Sequence, residues 1–293
     1  MLLRFFGRLT ALYLRLCGAE RARLEAGQVS LVYYRVGPEG GEPWVLLHGL
    51  GAVAAIWGPV LRALRRDCRV LAPELSALGG SEVPGGGLTV EAAVEIVAQL
   101  IERERGGRPV TLAGISLGGW MAVRLALARP DLVSRLVLVD AGGWRDQDWE
   151  RIEELVTVED LAGVDRLYPA MFARVPWIMR LSRPGFLAAY TSPAVKSVLA
   201  GLAEGDTFDA DDLARLNIPV GLIWGEHDGL FSVETGRAMA AALPQAHLEV
   251  LADCGHAVHM ERPRQLVRAI QGFRRRFRYN PPHPTHGGDH GKP

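Results

Sequence analysis

The chain has 293 residues, 33 basic and 33 acidic, so its formal net charge at pH 7 is zero. Apolar residues make up 48% and charged residues 23%, a globular composition that excludes a disordered chain and supplies ample material for a core. Balanced charge gives no electrostatic footprint for nucleic acid as a partner. Cys17, Cys68 and Cys254 are odd in number and form no C-x-x-C pair, which supports neither a zinc ribbon nor a disulfide framework. They read as reduced thiols of a cytoplasmic protein, with Cys254 a small buried hydrophobe.

Residues 1–27 comprise an amphipathic helix and a lead-in. Arg4, Arg8 and Arg15 fall within about 40° of one another on a helical wheel. Leu2, Phe5, Phe6, Leu9, Leu12, Tyr13 and Leu16 cover much of the remaining face. No run approaches the roughly 18 apolar residues of a membrane span, and no small-residue cleavage site follows. Two readings stay open. The helix packs on the protein body or a second subunit, or residues 2–17 make a peripheral membrane contact.

From residue 28 short apolar runs alternate with helical patterns. Strands are expected at Val29–Val36, Trp44–Leu47, Arg69–Ala72, Val110–Ala113 and Leu136–Val139, with helices at Val90–Glu104 and Leu117–Ala128. The rhythm returns at Pro219–Trp224 (strand), Val233–Leu243 (helix), His247–Leu251 (strand) and Pro263–Phe277 (helix). Fully apolar strands separated by helices imply a parallel sheet covered on both faces. The core is therefore expected at 28–141 and 217–278. Residues 142–216 break the pattern with prolines and large aromatics, as an inserted helical cap would. The Pro-, Gly- and His-rich tail, 279–293, is expected to be disordered. His283, His286 and His290 lack a carboxylate frame, so no functional metal site is expected there.

The chemistry begins at Gly114-Ile115-Ser116-Leu117-Gly118, between a predicted strand and a predicted helix. A serine at such a turn is projected above the carboxyl ends of the strands, and its flanking residues must be small for strand and helix to approach. A serine hydroxyl needs a base to take its proton. His256 follows a strand on the same edge within Cys254-Gly255-His256, and His259 is its rival. A carboxylate must orient the imidazole. Asp228 follows the strand before that of His256, and Asp140 competes from the end of Leu136–Val139. Two amides could stabilise a developing oxyanion: Leu117, after the serine, and Leu50, in the loop His48-Gly49-Leu50-Gly51. His48 reads as a structural hydrogen-bonding residue.

Together Leu47-His48-Gly49, the serine turn with Gly119, Trp224-Gly225-Glu226-His227-Asp228, and Gly255-His256 with Glu261-Arg262-Pro263 resemble the α/β-hydrolase superfamily over about residues 28–278. Residues 72–81 resemble that family's "APDLPGHGxS" segment but carry Glu74, Ser76 and Ala77 in place of Asp, Pro and Gly. The resemblance implies an α/β-hydrolase fold, with a mostly parallel central sheet, flanking helices and a helical cap inserted between strands. Within the superfamily the layout resembles capped microbial esterases and lipases. It implies a serine hydrolase of small-molecule carboxylic esters with an apolar acyl or aryl group, using Ser116, Asp228 and His256 and no metal or organic cofactor. Trp144, Phe172 and Trp177 of the cap are the expected substrate contacts. A C–C bond hydrolase of dienoic ring-cleavage products shares fold and triad. It would need cap cations such as Arg166, Arg174, Arg180 or Arg183 to hold a carboxylate. A non-catalytic ligand binder is the remaining alternative.

Overall fold

The computed structural model describes residues 10–84, 87–202 and 207–279. Its centre is an eight-stranded sheet in the order β1-β2-β4-β3-β5-β6-β7-β8. These strands are β1 (Glu20–Ala26), β2 (Val29–Val36), β3 (Glu42–Leu47), β4 (Cys68–Pro73), β5 (Val110–Ile115), β6 (Val133–Val139), β7 (Val220–Gly225) and β8 (Ala246–Leu251). Strands β3 to β8 run parallel, whereas β2 is antiparallel to both β1 and β4. Every residue of β5 and β7 is buried, because helices cover both faces.

On one face lie α2 (Val90–Glu104) and α3 (Leu117–Ala128); on the other lie α1 (Gly58–Leu64) and α11 (Pro263–Arg276). Between β6 and β7 the chain inserts α4 (Trp149–Val156), α5 (Leu161–Met171), α6 (Trp177–Tyr190), α7 (Pro193–Ala200) and α8 (Ala210–Ala214). α9 (Val233–Ala242) joins β7 to β8, and the short α10 (Val258–Glu261) precedes α11. Parallel register aligns the strand ends: Leu47 pairs with Gly114, Ile115 with Val139, Val139 with Ile223, and Gly225 with Leu251. The loops carrying His48, Ser116, Asp140, Asp228 and His256 therefore leave one edge of the sheet.

The lead-in is part of this sheet, which the sequence reading did not anticipate. β1 pairs with β2 along its whole length through a turn at Gly27, whose φ of 58° suits glycine. Its sequence ERARLEA alternates, but only Leu24 is fully buried, so the apolar signal is diluted by the charges that solvate an edge strand. A second unforeseen feature is Arg135, 3% exposed in β6. It donates to Thr111 Oγ1, Glu42 and the Phe277 carbonyl, and lies over the Trp44 ring, tying α11 to the amino edge of the sheet.

Of the N-terminal helix, residues 10–16 are described and helical, while 1–9, with Arg4, Arg8 and most of the apolar face, lie outside the described residues. Leu14 is buried in the core beneath α1, with Val60 and Leu64, Cys17 is buried as well, and Arg65 donates to the Cys17 carbonyl at 3.2 Å. Tyr13 lies so close to Gly58 that a Cβ there would sit 2.2 Å from the tyrosine hydroxyl. The docked face is thus Leu14 and Cys17, while Leu12 and Leu16 of the expected apolar face point outward, 54% and 75% exposed. Among the described residues no helix is long and apolar enough to cross a membrane. The tail histidines also lie outside the described residues. Leu14→Ala is expected to destabilise the fold by about 2–5 kcal/mol, the usual cost of a cavity left by a buried leucine, read as a fall in the urea midpoint.

Candidate active site

Ser116 joins β5 to α3 with φ 55° and ψ −121°, a conformation L-residues rarely adopt. The surroundings enforce it. Its amide donates to the Val139 carbonyl at 2.9 Å, and its carbonyl accepts from Gly119, Trp120 and Gly142. Glycine is required around it: a Cβ on Gly114 would meet the Gly118 carbonyl oxygen at 2.1 Å, and one on Gly118 the Leu47 oxygen at 2.4 Å. The cost of the strained backbone, about 1–3 kcal/mol, is borne by this packing.

His256 is buried, and its Nδ1 lies 2.8 Å from Oδ2 of Asp228. The other carboxylate oxygen of Asp228 accepts from the amides of Leu230 and Phe231 at 2.8 and 3.0 Å. Those bonds hold the carboxylate in place, so the Nδ1 side of the imidazole is occupied and Nε2 is the nitrogen left for another partner. Asp140 occupies the same cluster, its ligand atom within 4.8 Å of those of Asp228 and His256. Its Oδ1 accepts from the Gly225 amide at 2.8 Å, while its Oδ2 is buried without a partner. Burial first, then the Asp228 carboxylate, hold Asp140 well above the usual carboxylate range.

Gly49, Leu50 and Leu117 line one cavity with Ser116. Gly49 lies against the serine, a Cβ there being 3.2 Å from Ser116 Cβ. Among the described residues the amides of Leu50 and Leu117 have no hydrogen-bond acceptor, and Leu117 is the first residue of a helix, where amides lack intrahelical partners. His48 donates from Nδ1 to the Gly49 carbonyl at 2.9 Å and accepts from the Leu75 amide at 3.0 Å. Burial lowers its pKa to about 4, so it is a neutral structural bridge. Glu74 holds the loop's other end, accepting from the Ala54 amide at 3.0 Å. Burial pushes its carboxyl up to about 7, against the opposing influences of that amide and Arg21. The sequence showed Glu74 as a departure from the family segment without revealing this role.

Ser116, Leu117, Leu50, His256 and His259 open into a cavity of about 240 Å³ whose other walls include Met171, Phe186 and Tyr190. Trp144, Phe172 and Trp177 do not line it. Trp144 packs edge-on against Phe208, Phe172 is buried against Tyr168, and Trp177 is 74% exposed. The expected contacts are replaced by Trp149, Ile152, Phe186 and Tyr190, because which side of each cap helix faces the sheet is a tertiary matter. Burial pushes the Cys254 thiol up to about 12, an inert buried thiol.

This fold and this edge define an α/β hydrolase. The chain belongs to the α/β-hydrolase family, whose model matches residues 44–269. It is 28% identical over 261 residues to the pimeloyl-[acyl-carrier protein] methyl ester esterase of Aliivibrio salmonicida, covering 83% of this chain and 95% of that one. It is likewise 28% identical over 265 residues to the 2-hydroxy-6-oxo-2,4-heptadienoate hydrolase of Pseudomonas putida, covering 85% and 94%. Among solved structures, a thermophilic esterase from Thermogutta terrifontis superposes with a TM-score of 0.74 at 26% identity, covering 89% and 100%.

The Glu74 carboxyl makes stability pH-dependent. In the native state it keeps its proton to about pH 7, whereas an unfolded chain releases it near 4.5. Raising pH through that window favours the unfolded state, by on the order of 3 kcal/mol, with no further loss above it. Glu74→Gln keeps an acceptor for Ala54 and has no proton to lose. The variant is expected to match the wild type in denaturant titration at pH 5 and to exceed it at pH 8.

Proposed function

We propose that this protein is a serine hydrolase that cleaves carboxylic esters with an apolar acyl or aryl group, and that residues 142–216 form the cap over its site. The observation that carries this reading is a strained serine sharing an apolar cavity with an imidazole whose Nδ1 is held by the Asp228 carboxyl group. In this reading His256 takes the Ser116 proton as the hydroxyl attacks the ester carbonyl. The amides of Leu50 and Leu117 receive the negative charge that develops on the carbonyl oxygen. Asp228 stabilises the imidazolium, which then gives its proton to the departing alcohol. Water, activated by the same imidazole, releases the acyl group and restores the serine. Every step uses side chains and amides of this chain, so the reading calls for no cofactor.

The esterase relatives support this choice. The Pseudomonas putida relative is the argument for the dienoate alternative, which needs a cation to hold a carboxylate. Arg166, Arg174 and Arg180 are exposed, Arg183 pairs with Asp165 at 2.5 Å, and none lines the cavity. That distribution favours the ester. A purely ligand-binding role leaves the backbone strain at Ser116 without purpose.

Ser116→Ala is expected to lower p-nitrophenyl ester turnover by about 10⁴-fold or more with melting preserved. Asp228→Asn should cost about 10⁴-fold in kcat through a misdirected imidazole, and Asp140→Asn far less, because His256 Nδ1 is bonded to Asp228 whereas Asp140 accepts from the Gly225 amide. Greater damage from Asp140→Asn would reassign the acid.

The outward Leu12 and Leu16, beside exposed Arg15, support peripheral lipid contact through residues 2–17 alongside the docking of Leu14. Leu12→Glu with Leu16→Glu is expected to abolish co-sedimentation with anionic vesicles and leave hydrolysis of a water-soluble ester unchanged. Retained co-sedimentation would rule the contact out.

A further inference from the structure

The cavity contains a polar side chain that the reaction does not use. His259 stands in α10, three residues after His256, and lines the same space as Ser116. Its Nδ1 is buried with no hydrogen-bond partner. Of the other polar groups lining the cavity, His256 Nδ1 is engaged with Asp228 and the Trp149 indole N–H with the Arg145 carbonyl at 3.2 Å, while Ser116 Oγ and His256 Nε2 are the pair the reaction uses. A buried imidazole nitrogen with no partner is costly, and an empty ligand site is a common reason for one to persist.

The walls give the cavity a direction. Trp120, Trp149, Ile152, Val156, Leu199 and Leu202 line both this cavity and an adjoining one of about 520 Å³. The shared apolar wall suits a hydrocarbon chain, with Arg145, Glu153, Thr157 and Thr207 among the other residues of the adjoining cavity. His259 and Met260 line the first cavity alone, next to the imidazole that must protonate the departing oxygen. With the acyl chain along the shared apolar wall, the alcohol lies on the His256 side, within the reach of His259.

The ring is also uncharged. Burial, then His256, lower the His259 pKa to about 4, so at neutral pH one ring nitrogen donates and the other accepts. That pair complements a hydroxyl. It would neither neutralise a carboxylate nor repel a cation.

We propose that His259 is a specificity-determining residue that binds a second hydroxyl of the leaving alcohol, so that the preferred substrates are apolar acyl esters of diols or triols. This rests on the ester-hydrolase reading above. Two esters of one acid, ethyl octanoate and 2-hydroxyethyl octanoate, test it in the full-length protein. The wild type should favour the hydroxylated ester, expressed as the ratio of the two kcat/KM values. His259→Leu should lower that ratio roughly tenfold, the loss of one neutral hydrogen bond, mainly through KM. His259→Gln, which keeps a donor and an acceptor, should retain much of it. A wild-type ratio near one, or a ratio unchanged in His259→Leu because both esters lose activity in proportion, overturns the proposal and leaves the esterase reading standing. A wild type that cleaves neither these nor p-nitrophenyl esters removes both.

Discussion

The structure depends on one crowded turn. At Ser116 strand β5 becomes helix α3 within a single residue, and that residue takes a positive φ despite having a Cβ. The chain accepts this because neighbours hold the peptide on both sides: Val139 takes the amide proton, and three later amides converge on the carbonyl. The same crowding excludes side chains at Gly114, Gly118 and Gly119, where a Cβ would overlap backbone or the Ala141 side chain at 2.1 to 2.6 Å. Nucleophile position, helix start and sheet edge are thus one packing solution. Its consequence is chemical: the hydroxyl stands in the cavity, and the first amide of α3 is left without an intrahelical acceptor.

Burial then shapes the titratable groups around that turn. Asp228 has two amides on one oxygen and an imidazole on the other. Asp140, with one amide and an orphaned oxygen, is held well above the usual carboxylate range by burial and by the neighbouring Asp228. His48 and Glu74 follow the same logic one loop away. Both are buried, and segment 74–75 grips both ends of the loop 48–54 through the Leu75 amide and the Ala54 amide.

The inserted helices wall the cavity at this edge. α6 shows how: its amino end carries Trp177, Ile178 and Leu181 exposed, while Phe186 and Tyr190 at its carboxyl end stack on each other in the cavity wall. A helix so placed turns the aromatic content of the cap to two uses, only one of which touches the site.

The sequence by itself determined the alternating β/α order, the helices at 90–104 and 117–128 to the residue, and the loops carrying Ser116, Asp228 and His256. These were legible because buried parallel strands are continuously apolar and because a tight strand-to-helix turn demands small residues at fixed spacing. The sequence favoured Asp228 over Asp140 through the family resemblance, since both follow a strand on one edge; in the structure His256 bonds Asp228, while Asp140 accepts from the Gly225 amide. β1 escaped notice because an exposed edge strand reads as charged, and Arg135 because its partners Glu42, Thr111 and Phe277 are remote in the chain. The tertiary structure alone decided that Trp144, Phe172 and Trp177 stand away from the cavity, and that His259 faces it with a nitrogen unpaired. Composition sets how apolar a helix is, but the direction it faces is fixed by packing against elements far away in sequence.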